Sequence, residues 1–251
     1  KKQMARTIQI DYGTAYETGP TKLHDIGQRA VDPDGSIFHY TLMGGTTGVA
    51  NKIYQGAAAI GAHQDTEHTV ALVVGDTAIT FHDDGTAFTV DEAQGGHITV
   101  ESAADLGHIY RVKSNAATDT AETVCQLEDG VTVQFAVPVA GGNHLTLQRS
   151  TWLETILGIA GVNTAPNAGV PRVIIAISAF GWLQTRGVTS CLIDSDAVLP
   201  LVGNGLRSGS AAAGAVSLLD ETAAKIDYGH VGYCMATSVD AAFSQIYLQI
   251  E

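Results

Sequence analysis

The sequence has few charged side chains, and basic ones are the scarcer kind. Charged residues make up 16% of the 251 positions, well below the roughly 25% of a typical soluble domain. Lysine and arginine number 13 against 26 acidic residues, which gives a formal net charge of −13. Because nucleic-acid binding depends on basic side chains that neutralise phosphates, we predict no nucleic-acid partner.

The scarcity of charge, together with 28 glycines, also bears on the surface of the protein. It favours an outer surface that is partly covered by other subunits. The alternative is a glycine-rich β protein whose exposed side chains are mostly Thr, Ser and Ala. We favour assembly, since the acidic excess is typical of a particle surface that is kept soluble by mutual repulsion.

Cysteine is also scarce. The three cysteines, Cys125, Cys191 and Cys234, are far apart and odd in number. No CxxC or CxxH spacing occurs, so neither a zinc ribbon nor a complete disulfide framework is supported. We predict buried thiols, no bound metal and no cofactor.

Long apolar stretches are missing as well. The sequence contains no run of about 18 apolar residues and no signal-peptide pattern at its start. We therefore expect a soluble protein that is made in the cytoplasm and has no membrane partner.

What the sequence does contain is a series of short apolar runs separated by Gly, Asn, Asp and Ser. This spacing predicts an all-β protein built from glycine-rich sandwich or barrel modules, with few short helices. The last run is the clearest strand, because Ile246, Leu248 and Ile250 fall on one face and polar residues fall between them. Asp83-Asp84-Gly85 between two further runs predicts a hairpin.

We predict three segments. Residues 1–35 form an extended N-terminal arm, residues 36–165 a β-rich domain, and residues 166–251 a C-terminal β module. The β-rich domain combines a first strand, which follows the turn at residues 32–35, with a middle β unit at residues 57–149. A loop with two prolines at residues 163–171 marks the last boundary. The arm is either a flexible terminus or a segment that becomes ordered along a neighbouring subunit, and we favour the second.

Chemistry-bearing residues give weaker signals. His63 and His68 lie near acidic residues, but a separation of five suits neither one helix face nor one strand face, so we predict solvated loop residues. Pairs of acidic residues in turns, such as Asp32 and Asp34, leave calcium binding open, although Asp is common in turns for its own hydrogen bonds. With aromatic residues at 6%, little is left for a sugar-stacking platform.

Two regions of the sequence resemble a known class of proteins. The first runs through the motifs Gly181-Trp182-x-Gln184-Thr185-x-Gly187, Gly203-x-Gly205-Leu206, Gly214-x-Val216 and Val231-Gly232-Tyr233 to a terminal β run. The second is the DPDGxIFxYxxxGG block from residue 32, which continues to Lys52-x-Tyr54-Gln55. Both are similar to virion structural proteins of tailed bacteriophages, and most similar to head decoration or cement proteins.

The resemblance implies a capsid auxiliary protein that is made in the bacterial host and binds the outside of the shell. Its partners would be the major capsid protein and further copies of itself, with a homotrimer favoured, and it would not be an enzyme. We predict two sets of contact residues. They are Ile8, Ile10 and Tyr12 of the arm toward the capsid, and Trp182, Ile246 and Leu248 in the oligomer interface.

Three alternatives remain open. The chain could be another virion part, such as a tail or fibre-base component. It could be a glycan- or receptor-binding module whose binding head is the middle unit, or a hydrolase that uses His and Asp groups of that unit.

Overall fold

The computed structural model describes residues 7–83, 85–101, 107–118, 122–139, 142–195, 198–219, 228–237 and 239–251. These residues are nearly all in strands, turns and loops, which confirms the predicted all-β class. The helices among them are two single 3₁₀ turns, Thr14–Tyr16 and Gly61–His63.

The strands are numbered in chain order. They are β1 (Ile8–Gln9), β2 (Arg29–Val31), β3 (Ile37–Leu42), β4 (Tyr54–Gln55), β5 (Thr66–Glu67), β6 (Ala78–His82), β7 (His97–Val100), β8 (Ile109–Asn115), β9 (Glu122–Leu127), β10 (His144–Gln148), β11 (Ile156–Leu157), β12 (Asn167–Pro171), β13 (Phe180–Leu192), β14 (Gly205–Ser208), β15 (Val216–Leu218), β16 (His230–Cys234) and β17 (Phe243–Gln249).

The chain forms two compact units. The inserted unit is Ala58–Ser150, and the main unit consists of the chain before and after it, described here from residue 7 to 57 and over 151–251. The predicted middle β unit at residues 57–149 therefore matches a structural unit to within one residue at each end. The predicted boundaries at 35/36 and 165/166 do not match this division.

The inserted unit contains a six-stranded sheet in the order β5-β10-β7-β8-β9-β6. Alternating residues of these strands, such as Ile98 and Val100 of β7, enter one apolar core. The predicted hairpin at residues 83–85 is wrong. A turn does form, with the Thr86 amide donating to the Asp83 carbonyl at 3.0 Å, but β6 pairs with β9 and not with the segment that follows the turn.

The main unit is built around β13, which at 13 residues is far longer than an average strand. Its sheet has the order β1-β2-β3-β13-β17-β16-β14-β15, while β12 joins β13 to the small β4–β11 pair. On the inner face, Cys191 of β13 packs with Ile246 and Leu248 of β17. The predicted alternation of the terminal strand is confirmed.

Strand pairing explains why the predicted boundaries failed. Tyr40 of β3 lies opposite Trp182 of β13, and β12 pairs with both β13 and β4. Residues 36–57 and 151–165 thus belong to the same unit as the C-terminal module. The run with two prolines is not a linker, since its second half is the buried strand β12.

The arm prediction also needs correction for the residues that are described. Residues 7–35 fold onto the main unit, because β1 pairs in parallel with β2 and β2 pairs with β3. Ile10 is 8% exposed and shares a core with Phe38 and Trp182. Residues 1–6 of the predicted arm lie outside the described residues.

Gly187 gives the first testable prediction. Its φ of +103° suits glycine, and an added Cβ would lie 2.6 Å from Ser36 Oγ and 3.1 Å from Ser36 Cβ. We expect Gly187→Ala to lower the free energy of unfolding by about 2–4 kcal/mol, measured with denaturant. Gly203→Ala is the matched control, since Gly203 has a φ of +88° and no atom within 4 Å of its added Cβ. Gly203→Ala should lower the free energy of unfolding by about 1–2 kcal/mol, because alanine is strained at positive φ. Equal losses in the two variants would contradict a clash between residue 187 and Ser36.

His39 is a buried titratable group of the main unit. Its ring is stacked on Trp152, with centroids 4.0 Å apart, and the residue is only 4% exposed. Burial, with a further contribution from the Arg29 guanidinium, lowers the pKa of His39 to about 4. The Glu251 carboxylate, 3.4 Å from Nε2, does not offset the cost of burying a charged ring.

This pKa fixes the sign of a pH dependence. Between pH 6.5 and about 4, the unfolded chain binds a proton at His39 and the folded chain does not. The free energy of unfolding of the main unit should therefore decrease as the pH is lowered from 6.5 to about 4. His39 accounts for up to about 3 kcal/mol of this decrease. The test is to measure the free energy of unfolding of the wild type and of His39→Gln as a function of pH. The decrease between pH 6.5 and about 4 should be smaller in the variant by about 3 kcal/mol. Parallel profiles for the two proteins would contradict the assignment.

Candidate interaction groove

The strand β13 changes partners along its length. Its first half pairs with β3, and this ladder shifts register between Gln184 and Arg186, so that Thr185 is an extra residue. The last pair of the ladder is Ile37 with Arg186. Such a bulge bends a strand and increases its twist. Beyond Arg186, β3 no longer covers this edge of β13.

The amide and carbonyl groups of successive residues in β13 point alternately toward β17 and toward the uncovered edge. The Ile250 amide donates to the Thr185 carbonyl at 3.1 Å, so Thr185 faces β17. In an antiparallel sheet, alternate residues then face opposite edges, which turns the main-chain groups of Val188 and Ser190 toward the uncovered side. At the far end, the Leu192 amide donates to the Asn51 carbonyl at 3.0 Å. The open edge therefore consists of residues 188–190.

A side chain partly replaces the missing strand. Gln184 is fully buried, and its Nε2 donates to the carbonyls of Arg186 and Val188, both at 3.1 Å. Among the described residues, no group bonds to the Val188 amide or to the outward amide and carbonyl of Ser190. The carbonyls of Arg186 and Val188 are thus capped by the Gln184 side chain. The Val188 amide and the main-chain groups of Ser190 remain available to a pairing strand.

Arg172 holds the capping side chain in place. Its Nε donates to Gln184 Oε1 at 2.9 Å, and its guanidinium lies 4.8 Å from the centre of the Phe38 ring. Its Nη1 lies 3.5 Å from Asp32 Oδ2. The other oxygen of Asp32 accepts the amides of Asp34 and Ser36, at 3.0 and 2.9 Å. This acidic turn therefore serves its own backbone and the Arg172 pair.

A groove of about 480 Å³ runs beside the open edge. It is lined by Tyr16, Asn51, Arg172, residues 188–190 and residues 243–245. Two of its aromatic side chains are half exposed, Tyr16 at 53% and Phe243 at 55%. Exposed aromatic rings beside polar groups and an arginine are the composition of binding hot spots in protein interfaces. We call this region the β13 groove.

Comparison of the chain with family models, with curated proteins and with solved structures found no significant match. The candidate site therefore rests on its own geometry.

The predicted capsid-contact residues do not form an exposed set. Ile10 is buried in the main unit, and Ile8 is half-buried and packs against the same core. Tyr12 is 48% exposed, and its hydroxyl donates to Asp34 Oδ1 at 2.5 Å. Of the three residues, Tyr12 alone presents much surface to a partner.

The predicted oligomer residues lie inside the main unit. Trp182 is 2% exposed and packs with Ile10 and Tyr40, while Ile246 and Leu248 are fully buried. These side chains have no surface to offer a second copy, because the inward face of the sheet is already covered within one chain. The residues that sequence reasoning missed are those of the β13 groove. The Gln184-Thr185-x-Gly187 motif was its visible signal, since it contains the capping side chain, the extra residue of the bulge and a glycine with positive φ.

The histidine prediction is also wrong. His63 and His68 are each 1% exposed, and the His63 ring is stacked on Phe88 with centroids 4.1 Å apart. Burial lowers the pKa of His63, against the opposing effect of the Glu92 and Asp83 carboxylates. His63 thus serves as an aromatic ring in the core of the inserted unit.

The cysteines behave as predicted. All three are buried and none is in a disulfide. Burial raises the pKa of Cys125 and of Cys191 to about 12, so these thiols stay protonated at neutral pH. Thiolate is the nucleophilic form, and both side chains therefore act as small apolar groups.

Among the described residues, no three His, Cys, Asp or Glu side chains converge as metal ligands would. No helix there has the length and apolar character that crossing a bilayer requires.

The Gln184 cap gives the third prediction. Gln184→Met keeps the size of the side chain but removes both donated bonds and the acceptor for Arg172. We expect a loss of about 1–3 kcal/mol in the free energy of unfolding. Gln245→Met is the control, because Gln245 is exposed on the outer face of the same sheet, and it should change stability by less than about 0.5 kcal/mol. A loss no larger for Gln184→Met than for the control would contradict the capping role.

Proposed function

We propose that this chain is a virion structural protein of a tailed bacteriophage, of the head decoration or cement type. It binds the outside of the capsid shell and ties neighbouring major capsid subunits together. The single observation that carries the proposal is the open edge of β13 beside the β13 groove. The sequence motif that resembles decoration proteins is the one that builds this edge.

Binding at such an edge works by strand addition. An extended segment of a capsid subunit lies along residues 188–190 and accepts or donates hydrogen bonds at Ser190. Tyr16 and Phe243, both half exposed, bury apolar surface against the same segment. The groove thus offers main-chain pairing for affinity and side-chain contacts for selection.

The strength per copy is modest. A hydrogen bond contributes about 0.5–1.5 kcal/mol net, and association costs must be subtracted from the sum. Many symmetric copies that each span two capsid subunits nevertheless hold the shell together, since bound copies act jointly. No chemical transformation of a ligand is required.

Self-association is a further part of the proposal. Because Trp182, Ile246 and Leu248 are buried, contacts between copies must use other side chains. Leu201 and Val202 are 65% and 63% exposed in a turn beside β16. Tyr233 on β16 is 43% exposed. An exposed apolar group of this kind suits a subunit interface.

Ser190→Pro tests the proposed function. Proline removes the Ser190 amide hydrogen and places its ring on the open edge, which blocks a pairing strand but is tolerated on sheet edges. Shells assembled without this protein are mixed with the purified wild-type or variant chain, and the bound fraction is measured by co-sedimentation. We expect saturable binding of the wild type and binding weaker by about 10-fold or more for the variant.

Ser190→Ala is the matched control, since it keeps the amide hydrogen and should bind like the wild type. The unfolding free energy of each variant is measured on the free chain. If Ser190→Pro does not fold, Phe243→Asp takes its place, because Phe243 is half exposed at the groove. A wild type that does not bind shells refutes the decoration role. Full binding by the blocked variant refutes the open edge as the contact.

A further inference from the structure

The outer face of the main sheet presents a row of apolar side chains across β17, β16 and β14. Tyr233 of β16 lies opposite Tyr247 of β17 on one side and opposite Gly205 of β14 on the other. The row ends at Leu219, whose amide donates to the Gly205 carbonyl at 2.9 Å. Residues that alternate with these, such as Leu248, enter the core of the main unit. The side chains of Tyr233, Tyr247 and Leu219 therefore point outward.

This row lies on the surface of the chain. Tyr233 is 43% exposed, Leu219 is 41% exposed, and Met235, two residues beyond Tyr233, is 41% exposed. The His230 ring lies against the Tyr233 ring, with centroids 5.7 Å apart and an interplanar angle of 70°. Tyrosine and methionine are enriched in protein interfaces. We call the surface formed by Tyr233, Tyr247, Met235 and Leu219 the β16 face.

The two central strands of the β16 face lack charged residues. Residues 230–237 and 241–250, which contain β16 and β17, include no Asp, Glu, Lys or Arg, whereas the whole chain has a net charge of −13. Copies with this charge repel one another over most of their surfaces. An apolar face without charge is the part of the surface where this repulsion is weakest and where burial contributes most.

Opposite charges lie at the two ends of the β16 face. Arg186 is exposed and lies two residues before Val188, the partner of Tyr247, so its side chain points to the same side of the sheet. Asp240 is exposed beyond the other end of β17, where its Oδ1 accepts the Ser195 amide at 2.9 Å. This hydrogen bond lowers the pKa of Asp240. Among the described residues, no ion pair involves Arg186 or Asp240.

This arrangement of charges is complementary to itself. A two-fold axis that lies between two β16 faces and crosses their strands reverses the strand direction of the second copy. The Arg186 end of each copy then lies against the Asp240 end of the other, so two ion pairs form together with the apolar contact. A different protein would have to reproduce the spacing of these charges, whereas a second copy has it by symmetry.

We propose that the β16 face binds the β16 face of a second copy of this chain, as a two-fold pair. The two sheets pack face to face with their strands within about 30° of each other, and Tyr233 and Met235 of both copies lie at the centre. The inference rests on the self-association proposed above and not on shell binding. It assigns a two-fold pair where the resemblance implies a homotrimer.

The size of the β16 face sets the expected strength of the pair. Four strands with six-residue spans cover roughly 20 Å by 20 Å. This is small for a specific interface, since a standard one buries about 800 Å² per partner. We therefore expect a reversible pair with a Kd on the order of micromolar.

Sedimentation equilibrium of the free chain tests the face. The wild type should change from one copy to two as its concentration rises through the micromolar range. Tyr233→Asp should weaken pairing at least about 30-fold, because it brings two carboxylates into the centre of the contact. Val124→Asp is the matched control, since Val124 is 47% exposed on β9 of the inserted unit, and it should pair like the wild type.

A charge exchange tests the two-fold geometry. Arg186→Glu should weaken pairing at least about 5-fold, because it places like charges at both ends of the contact. Asp240→Lys should weaken it similarly, and the double variant Arg186→Glu/Asp240→Lys should recover pairing to within about 3-fold of the wild type. The free energy of unfolding is measured for every variant. If Tyr233→Asp does not fold, Met235→Asp takes its place.

Each contrary result overturns a defined part of the inference. A wild type that stays monomeric up to about 1 mM, or that forms trimers, overturns the pair. Pairing that tolerates the aspartate at the centre overturns the face, and failure of the double variant to recover overturns the two-fold geometry. Shell binding by a chain that stays monomeric overturns this inference and leaves the decoration role intact. Pairing by a chain that does not bind shells supports the inference and refutes the decoration role.

Discussion

The hydrogen bonds along β13 are the constraint on which the main unit depends. Segments from both sides of the insertion meet on this strand, since β3 and β12 pair with its first half and β17 with its second. The ladder with β3 contains one extra residue, Thr185, just before β3 ends. The Gln184 side chain supplies hydrogen bonds beyond that point. The open edge is thus a result of strand length, because β3 ends at Arg186 of β13 while β17 pairs with β13 as far as Leu192.

Local patterns in the sequence correctly predicted strand alternation, buried cysteines and a turn, which are features that depend on nearby residues. Alternation in the terminal strand placed Ile246 and Leu248 on one inward face, and isolated cysteines were correctly taken as buried thiols. The turn at residues 32–35 also forms, with the Gly35 amide donating to the Asp32 carbonyl. Each of these features depends on a few neighbouring residues, so the sequence pattern carries enough information to predict it.

The failures concern pairing between distant segments. The polar, glycine-containing segment after Tyr12 suggested an arm, but its position is set by β3, which covers β2. Trp182 looked like an interface anchor, yet Ile10 and Tyr40 complete its burial. His63 was expected in a solvated loop because its separation from His68 suits neither one helix face nor one strand face, whereas the stack on Phe88 buries the face of the ring. The β13 groove was missed because its open edge exists only where the neighbouring strand β3 ends. The sequence of β13 alone does not show where its partner strand ends.

The insertion point has a consequence for how such a chain can be built. The main chain leaves for the inserted unit after β4 and returns at β11, and these two strands pair, with Tyr54 opposite Leu157. The two ends of the excursion are therefore within the span of a tight turn. A short linker could bridge them without straining the sheet. The order of strands in the main unit therefore does not depend on the length of the 58–150 segment, because its two ends meet at one paired position of the sheet.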